Sequence, residues 1–177
     1  MIRDNIWYDM IHLKHGEVYL AHYLGLQKTI RKWFKIITLI FSGSGIFSWA
    51  IWGSGTFAVI ACIVIAVIQI LSLIEGQIIA NESDLEKIGL LRNKYLSYFN
   101  KVEKLWVDFN AKRISETEAT EKFFKLRKKS EQIEVLDNEL HIIKLGILIK
   151  ASDTDVRNYI DQYHSKAKKH EQEKQTN

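Results

Sequence analysis

Residues 36–74 contain no Asp, Glu, Lys or Arg, and midway through them the chain reads Trp52-Gly53-Ser54-Gly55-Thr56. Hydrocarbon roughly 30 Å thick takes about 20 apolar residues of helix to cross, so the stretch has room for two crossings joined by a minimal turn. The expected fold class is an all-α membrane protein: a two-helix transmembrane hairpin with an N-terminal helix and a cytoplasmic antiparallel helical bundle. A mean hydropathy of -0.11 conceals this, because it averages one apolar block with a remainder rich in charge. A signal peptide would start nearer the N-terminus and be shorter. A buried hairpin of a water-borne fold would carry more polar residues on its outer face.

The chain has no proline and nine glycines, which favours long uninterrupted helices, since proline removes a backbone donor and clashes with the preceding turn. The single cysteine, Cys62, can form no intramolecular disulfide and reads as apolar filler. The expected organisation is an N-terminal amphipathic helical segment at 1–32, the hairpin at 33–75 with spans at about 34–52 and 57–75, a helical domain at 76–165 and a flexible charged tail at 166–177. One folded architecture is expected beyond the hairpin.

Lys28, Arg31, Lys32 and Lys35 crowd the approach to the first span. By the positive-inside rule this predicts an inner-membrane, multi-pass protein with both termini cytoplasmic. Trp33 at the entry and Trp49 and Trp52 near the turn fall where indole rings mark the water interfaces, so these seven residues are the candidate membrane anchors.

Within the spans, Thr38, Ser42 and Gly45 recur at helical spacing, giving a small, weakly polar face that either packs closely or lines a water-filled path. Cys62, Ala66, Gln69 and Ser72 form a second stripe, with Glu75 at its end. Glu75 either simply reaches water or, repeated about a symmetry axis, forms an acidic ring that selects cations. The candidate pore-lining set is Thr38, Ser42, Gln69, Ser72 and Glu75. Two spans enclose no lumen alone, so a pore requires a homo-oligomer.

Ile88, Leu91, Tyr95, Tyr98, Val102, Leu105 and Phe109 keep a three-four alternation, with Leu85, Phe99 and Trp106 widening the stripe, as in a coiled-coil-like bundle. One rod is expected from about 57 to 112, continuous with the second span. Ser115 and Glu118 form a capping box that opens a new helix. That helix carries Ala119, Leu126, Ile133, Leu140 and Ile147 at heptad spacing and should fold back on the first. Ser152-Asp153-Thr154-Asp155 reads as a further helix start. The N-terminal segment looks helical but less regular, and its His12, His15 and His22 are not completed into a metal site by other ligands.

No phosphate loop, nucleophile elbow, HExxH or cysteine cluster is present in the sequence. The paired carboxylates Glu116/Glu118 and Asp153/Asp155 are explained by helix starts, where the dipole rewards negative charge. No enzyme, cofactor or metal is expected, and an excess of +4 spread among acids gives no nucleic-acid stripe.

The order of these elements resembles the SLATT family, two-transmembrane effector domains of bacterial conflict systems. The resemblance covers about residues 18–140. It rests on the lead-in from Tyr23-Leu24-Gly25-Leu26 to Arg31-Lys32-Trp33-Phe34, the apolar hairpin, and the run from Tyr95-Leu96 through Leu105-Trp106 to Ile114-Ser115-Glu116-Thr117-Glu118-Ala119. It implies a membrane effector of anti-phage defence that oligomerises and, when activated, opens a pore or disrupts the lipid bilayer; together with the polar stripe and Glu75 this gives the expectation of a gated ion-conducting pore that depolarises the membrane. The implied trigger is a nucleotide second messenger or a partner from a nucleotidyltransferase system. The alternative is a membrane-tethered coiled-coil scaffold that recruits a soluble partner.

Overall fold

The computed structural model describes residues 2–44, 63, 65–67, 69–70, 80–140 and 142–165. The elements given bounds among the described residues are the helices α1 at Ile2–Ser44, α2 at Glu82–Asn110, α3 at Glu116–Leu140 and α4 at Gly146–Ile160, the last running into a π-helical turn at Asp161–Ser165; residues 63, 65–67 and 69–70 are also helical. The described residues contain no strand. The chain divides into two units, Met1–Tyr23 with Glu86–Asn177, and Leu24–Leu85. Residues 1–23 of the expected N-terminal segment thus group with the helices from Glu86 onward, and 24–32 fall in the other unit.

In the larger unit α1 and α2 run antiparallel, which three contacts along their length establish. Arg3 donates to Asn110 at 2.6 Å, the Trp7 and Trp106 rings lie 4.9 Å apart, and Arg92 grips Glu17 with two donors at 2.9 and 2.8 Å. Helix α3 folds back along α2, with Lys87 donating to Glu139 and Lys94 to Gln132. The core consists of Ile6, Met10, Leu13 and Leu20 from α1, Ile88, Leu91, Tyr98, Phe99, Val102 and Leu105 from α2, Ala119, Phe123 and Ile133 from α3, and Val156 from α4. This is a coiled-coil-like helical bundle, and the α2 seam is the one its heptad spacing predicts.

The helix ends explain where the chain turns. Ser115 Oγ accepts from the Glu118 N–H at 3.2 Å, as the capping box predicts, while the Glu118 carboxylate pairs forward with Lys122. At the end of α2 the Arg113 N–H reaches the Asp108 carbonyl and the Lys112 N–H the Phe109 carbonyl, which is a Schellman closure. Its left-handed position is held by Lys112, with φ 55°, where glycine would be unstrained.

Several expectations are corrected. Among the described residues no helix is long and apolar enough to cross a membrane. The membrane fold class and the multi-pass inner-membrane localisation, with its assignment of both termini, are corrected accordingly. The physical reason is visible in α1, which is charged as far as Lys35 and leaves only 36–44 free of charge. That is roughly 13 Å of helix against roughly 30 Å of hydrocarbon. Of the second expected span only 63, 65–67, 69 and 70 are described, and the hairpin turn lies outside the described residues.

Nor is there one rod from 57 to 112. Ala80 and Asn81 are not helical, and Asn81 caps α2 by accepting the Asp84 N–H at 2.7 Å. Asn81-Glu82-Ser83-Asp84 is itself a cap signature, so the break was legible. The α3 heptad ends at Leu140, and Ile147, its expected continuation, is 83% exposed. Ser152 does not open a helix. It sits inside α4, fully buried, and its hydroxyl donates to the Leu148 carbonyl at 2.7 Å.

Candidate functional site

Thr38 and Gln69 are exposed, Ser42 lies on α1, and Ser72 and Glu75 fall outside the described residues. Lys28, Lys32, Trp33 and Lys35 are exposed on α1, whereas Arg31 is half-buried and pairs with Glu82 at 3.6 Å. Trp49 and Trp52 are also outside the described residues.

The structure instead concentrates polar chemistry where α4 meets α1. His15 Nε2 lies 2.9 Å from the Asp153 carboxylate, and His22 Nε2 lies 2.8 Å from that of Asp155. The two histidines are seven residues apart on α1, so both face the same side, and the two aspartates meet them from the middle of α4. These pairs are partly exposed, so their worth is geometric more than energetic. They fix α4 against α1 and aim the His15 ring.

Tyr19 completes the join. Its hydroxyl donates to the Ile143 carbonyl at 2.7 Å and accepts from the Leu145 N–H at 3.0 Å. Leu145 is the N-cap of α4 and has no side-chain cap of its own, so a distant tyrosine takes up a backbone donor there.

Beside this clasp a cleft of about 620 Å³ is lined by His12, His15, Gly16, Tyr95, Asp137 and Lys144, among others. Gly16 is needed for its shape, because a Cβ at that position would lie 2.6 Å from Tyr95 Cε1. Burial raises the Asp137 carboxyl above the usual carboxylate range, with the charges of Lys144 and His12 pulling it back. Burial pushes the Tyr95 phenol up to about 12, and Asp137 and Glu134 add to the shift. A cation, two imidazoles, a carboxyl, the Asn138 amide and two tyrosines give the cleft both donors and acceptors. Among the described residues no group of three or more His, Cys, Asp or Glu is placed to hold a metal.

A second polar feature lies inside the α1–α2 seam. Glu17 is 5% exposed, yet it accepts from Arg92 and, at 3.1 Å, from Lys14. Sequence reading missed it because a glutamate in the apolar series Ile6, Met10, Leu13, Leu20 breaks the pattern. The same spacing, read with Glu17 and the buried Gln27 included, would have shown one regular stripe along α1.

No family model, curated protein or solved structure matches this chain. The SLATT resemblance therefore rests on the residues and element order already quoted.

Proposed function

We propose that this chain is a non-enzymatic effector of bacterial anti-phage defence that acts by assembling with copies of itself, its bundle receiving the trigger. The observation that carries the reading is the exposure of large apolar side chains in the Leu24–Leu85 unit. Trp33, Ile40, Ile63, Ile65, Val67 and Ile70 are each at least half exposed. Side chains of that size in one unit favour association, because covering them removes apolar area from water at about 25 cal/mol per Å². The resemblance supplies the defence context and the expectation of oligomers. The pore expectation depended on two membrane spans and is not carried forward.

The trigger would enter at the cleft. Lys144 and the two imidazoles suit a phosphate, and Tyr95, Asp137 and Asn138 suit a base, which fits a nucleotide signal. Asp153 and Asp155 are occupied with His15 and His22, so they offer no free acid–base pair.

Mass photometry of the full chain, with and without a panel of cyclic and linear nucleotides, tests this. The expected result is a nucleotide-dependent oligomer that is lost in Ile65→Glu and Ile70→Glu. A monomer under all conditions refutes the reading, as does an oligomer that ignores both variants. Monomers that float with phosphatidylglycerol vesicles would show that these side chains meet lipid instead of copies.

The second reading is a helical scaffold that recruits a partner, favoured because the clasp and cleft lie wholly within the larger unit. Replacing 36–74 by an unrelated apolar segment separates the two. Retained protection against phage, with native neighbouring genes present, favours the scaffold.

A further inference from the structure

Where α1 begins and the chain leaves α4, three aromatic rings surround a histidine. The His164 ring lies 5.5 Å from Trp7 and 5.1 Å from Trp106, near perpendicular to both, and 5.8 Å from Tyr159. Its Nε2 lies 3.1 Å from the Glu103 carboxylate, which also accepts the Tyr159 hydroxyl. His164 is only 8% exposed although it belongs to a five-residue π-helical turn at the end of the described chain. Such turns are rare and recur at functional sites.

Packing alone does not call for this arrangement. An aliphatic residue would fill the space between two indoles without requiring a carboxylate, and a carboxylate beside indole rings favours a guest that carries positive charge or an N–H. Aromatic faces combined with an acid are how proteins hold organic cations. Here the guest is a side chain of the same molecule, delivered by the turn.

We propose that Trp7, Trp106, Tyr159 and Glu103 form a binding site for an organic cation of the alkylammonium class, which His164 occupies as an internal ligand. An external cation would bind by displacing the Asp161–Ser165 turn. The site is separate from the cleft and stands whether or not the self-assembly reading holds.

The test uses the full chain and two probes that differ only in charge, choline and its neutral isostere 3,3-dimethylbutanol, at matched ionic strength. Binding is read from tryptophan fluorescence and from the melting temperature. His164→Ala empties the box and should bind choline at least about tenfold more tightly than the parent, as expected when a competing guest is removed. It should be indifferent to dimethylbutanol. Adding Glu103→Gln should reverse most of that gain, and His164→Leu, which refills the box, should show none.

Equal affinity for the two probes, no gain in His164→Ala, or no effect of Glu103→Gln overturns the proposal. Should His164→Ala fail to fold, hydrogen exchange in the parent decides. Faster exchange at 161–165 with choline but not dimethylbutanol supports displacement, and unchanged exchange refutes it.

Discussion

Gly16→Ala sets two known effects against each other. Alanine inside a helix is favoured over glycine by about 1 kcal/mol. Against that, the new methyl would meet Tyr95 Cε1 at 2.6 Å, Cδ1 at 2.9 Å and Cζ at 3.1 Å, so a whole ring edge must move. Tyr95 is half-buried, and overpacking at such sites costs about 1–3 kcal/mol. The net expectation is destabilisation of about 1 kcal/mol. Gly89→Ala, in the same unit and with nothing within 4 Å of its Cβ, should instead gain close to the full helical preference. The two variants should therefore differ by about 2 kcal/mol in opposite directions. Urea unfolding followed by circular dichroism measures this as a shift in midpoint at constant slope. If Gly16→Ala stabilises as much as Gly89→Ala, the tyrosine does not sit where the cleft requires. A Tyr95→Leu change combined with Gly16→Ala should then be simply additive, whereas the packing argued here demands coupling of about 1 kcal/mol.

Four further outcomes are expected. In the Glu17–Arg92 pair, Arg92→Met leaves a carboxylate that is 5% exposed with Lys14 as its remaining partner and should cost about 3 kcal/mol. Glu17→Gln leaves an arginine that can still hydrate and should cost about half as much, both read from chemical denaturation. Lys112→Gly relieves the left-handed backbone after α2 and should raise stability by about 1 kcal/mol, seen as a higher melting temperature. Tyr19→Phe removes a donor and an acceptor at the start of α4 and should cost about 1–2 kcal/mol, with faster hydrogen exchange at 143–149 than elsewhere in the bundle. Burial raises the Asp9 carboxyl above its ordinary 3.8, opposed by the Tyr98 hydrogen bond and Arg127. The folded protein then holds this proton more tightly than the unfolded chain, so this group's contribution to stability falls as pH rises from about 4 through the raised value. Asp9→Asn should flatten that slope in acid titrations of stability and stabilise the protein at neutral pH.

What was legible in the sequence was whatever repeats or caps locally. The α2 seam from Ile88 to Leu105 and the Ser115 cap are visible because spacing and a single hydroxyl determine them. The start of α4 was not, because its capping partner is Tyr19, more than a hundred residues away, and Ser152-Asp153 imitates a cap. Asp153 and Asp155 carry the same local signal as true capping acids, and only the positions of His15 and His22 reveal what they do. The charge-free block from 36 to 74 drew the membrane reading by its length and apolar content, while its described residues add a short apolar end to the charged helix α1 and a few helical positions between 63 and 70, with no helix long enough to cross a membrane. Of the candidate site, the sequence shows Tyr95 as core and His15 as one of three histidines short of a metal site, but the cleft they share comes from the antiparallel closure and from a glycine that makes room for a ring.

The buried Glu17 is then best understood through the alternatives it excludes. Antiparallel helices with apolar seams tolerate slippage, since moving α1 past α2 by a heptad, about 10 Å, would again set apolar against apolar. Such a slip would carry Glu17 away from Arg92 and leave a carboxylate withdrawn from water opposite an apolar position, at a cost of several kcal/mol. It would also separate Trp7 from Trp106 and Tyr98 from Asp9. An ion pair that adds little net stability can therefore still decide the register. Replacing both partners by Leu should yield a bundle as stable as the parent or more so. The register should then be less singular, with broadened tryptophan resonances where Trp7 and Trp106 meet. A double variant with one sharp set of those resonances would show that the aromatic contacts alone fix the register.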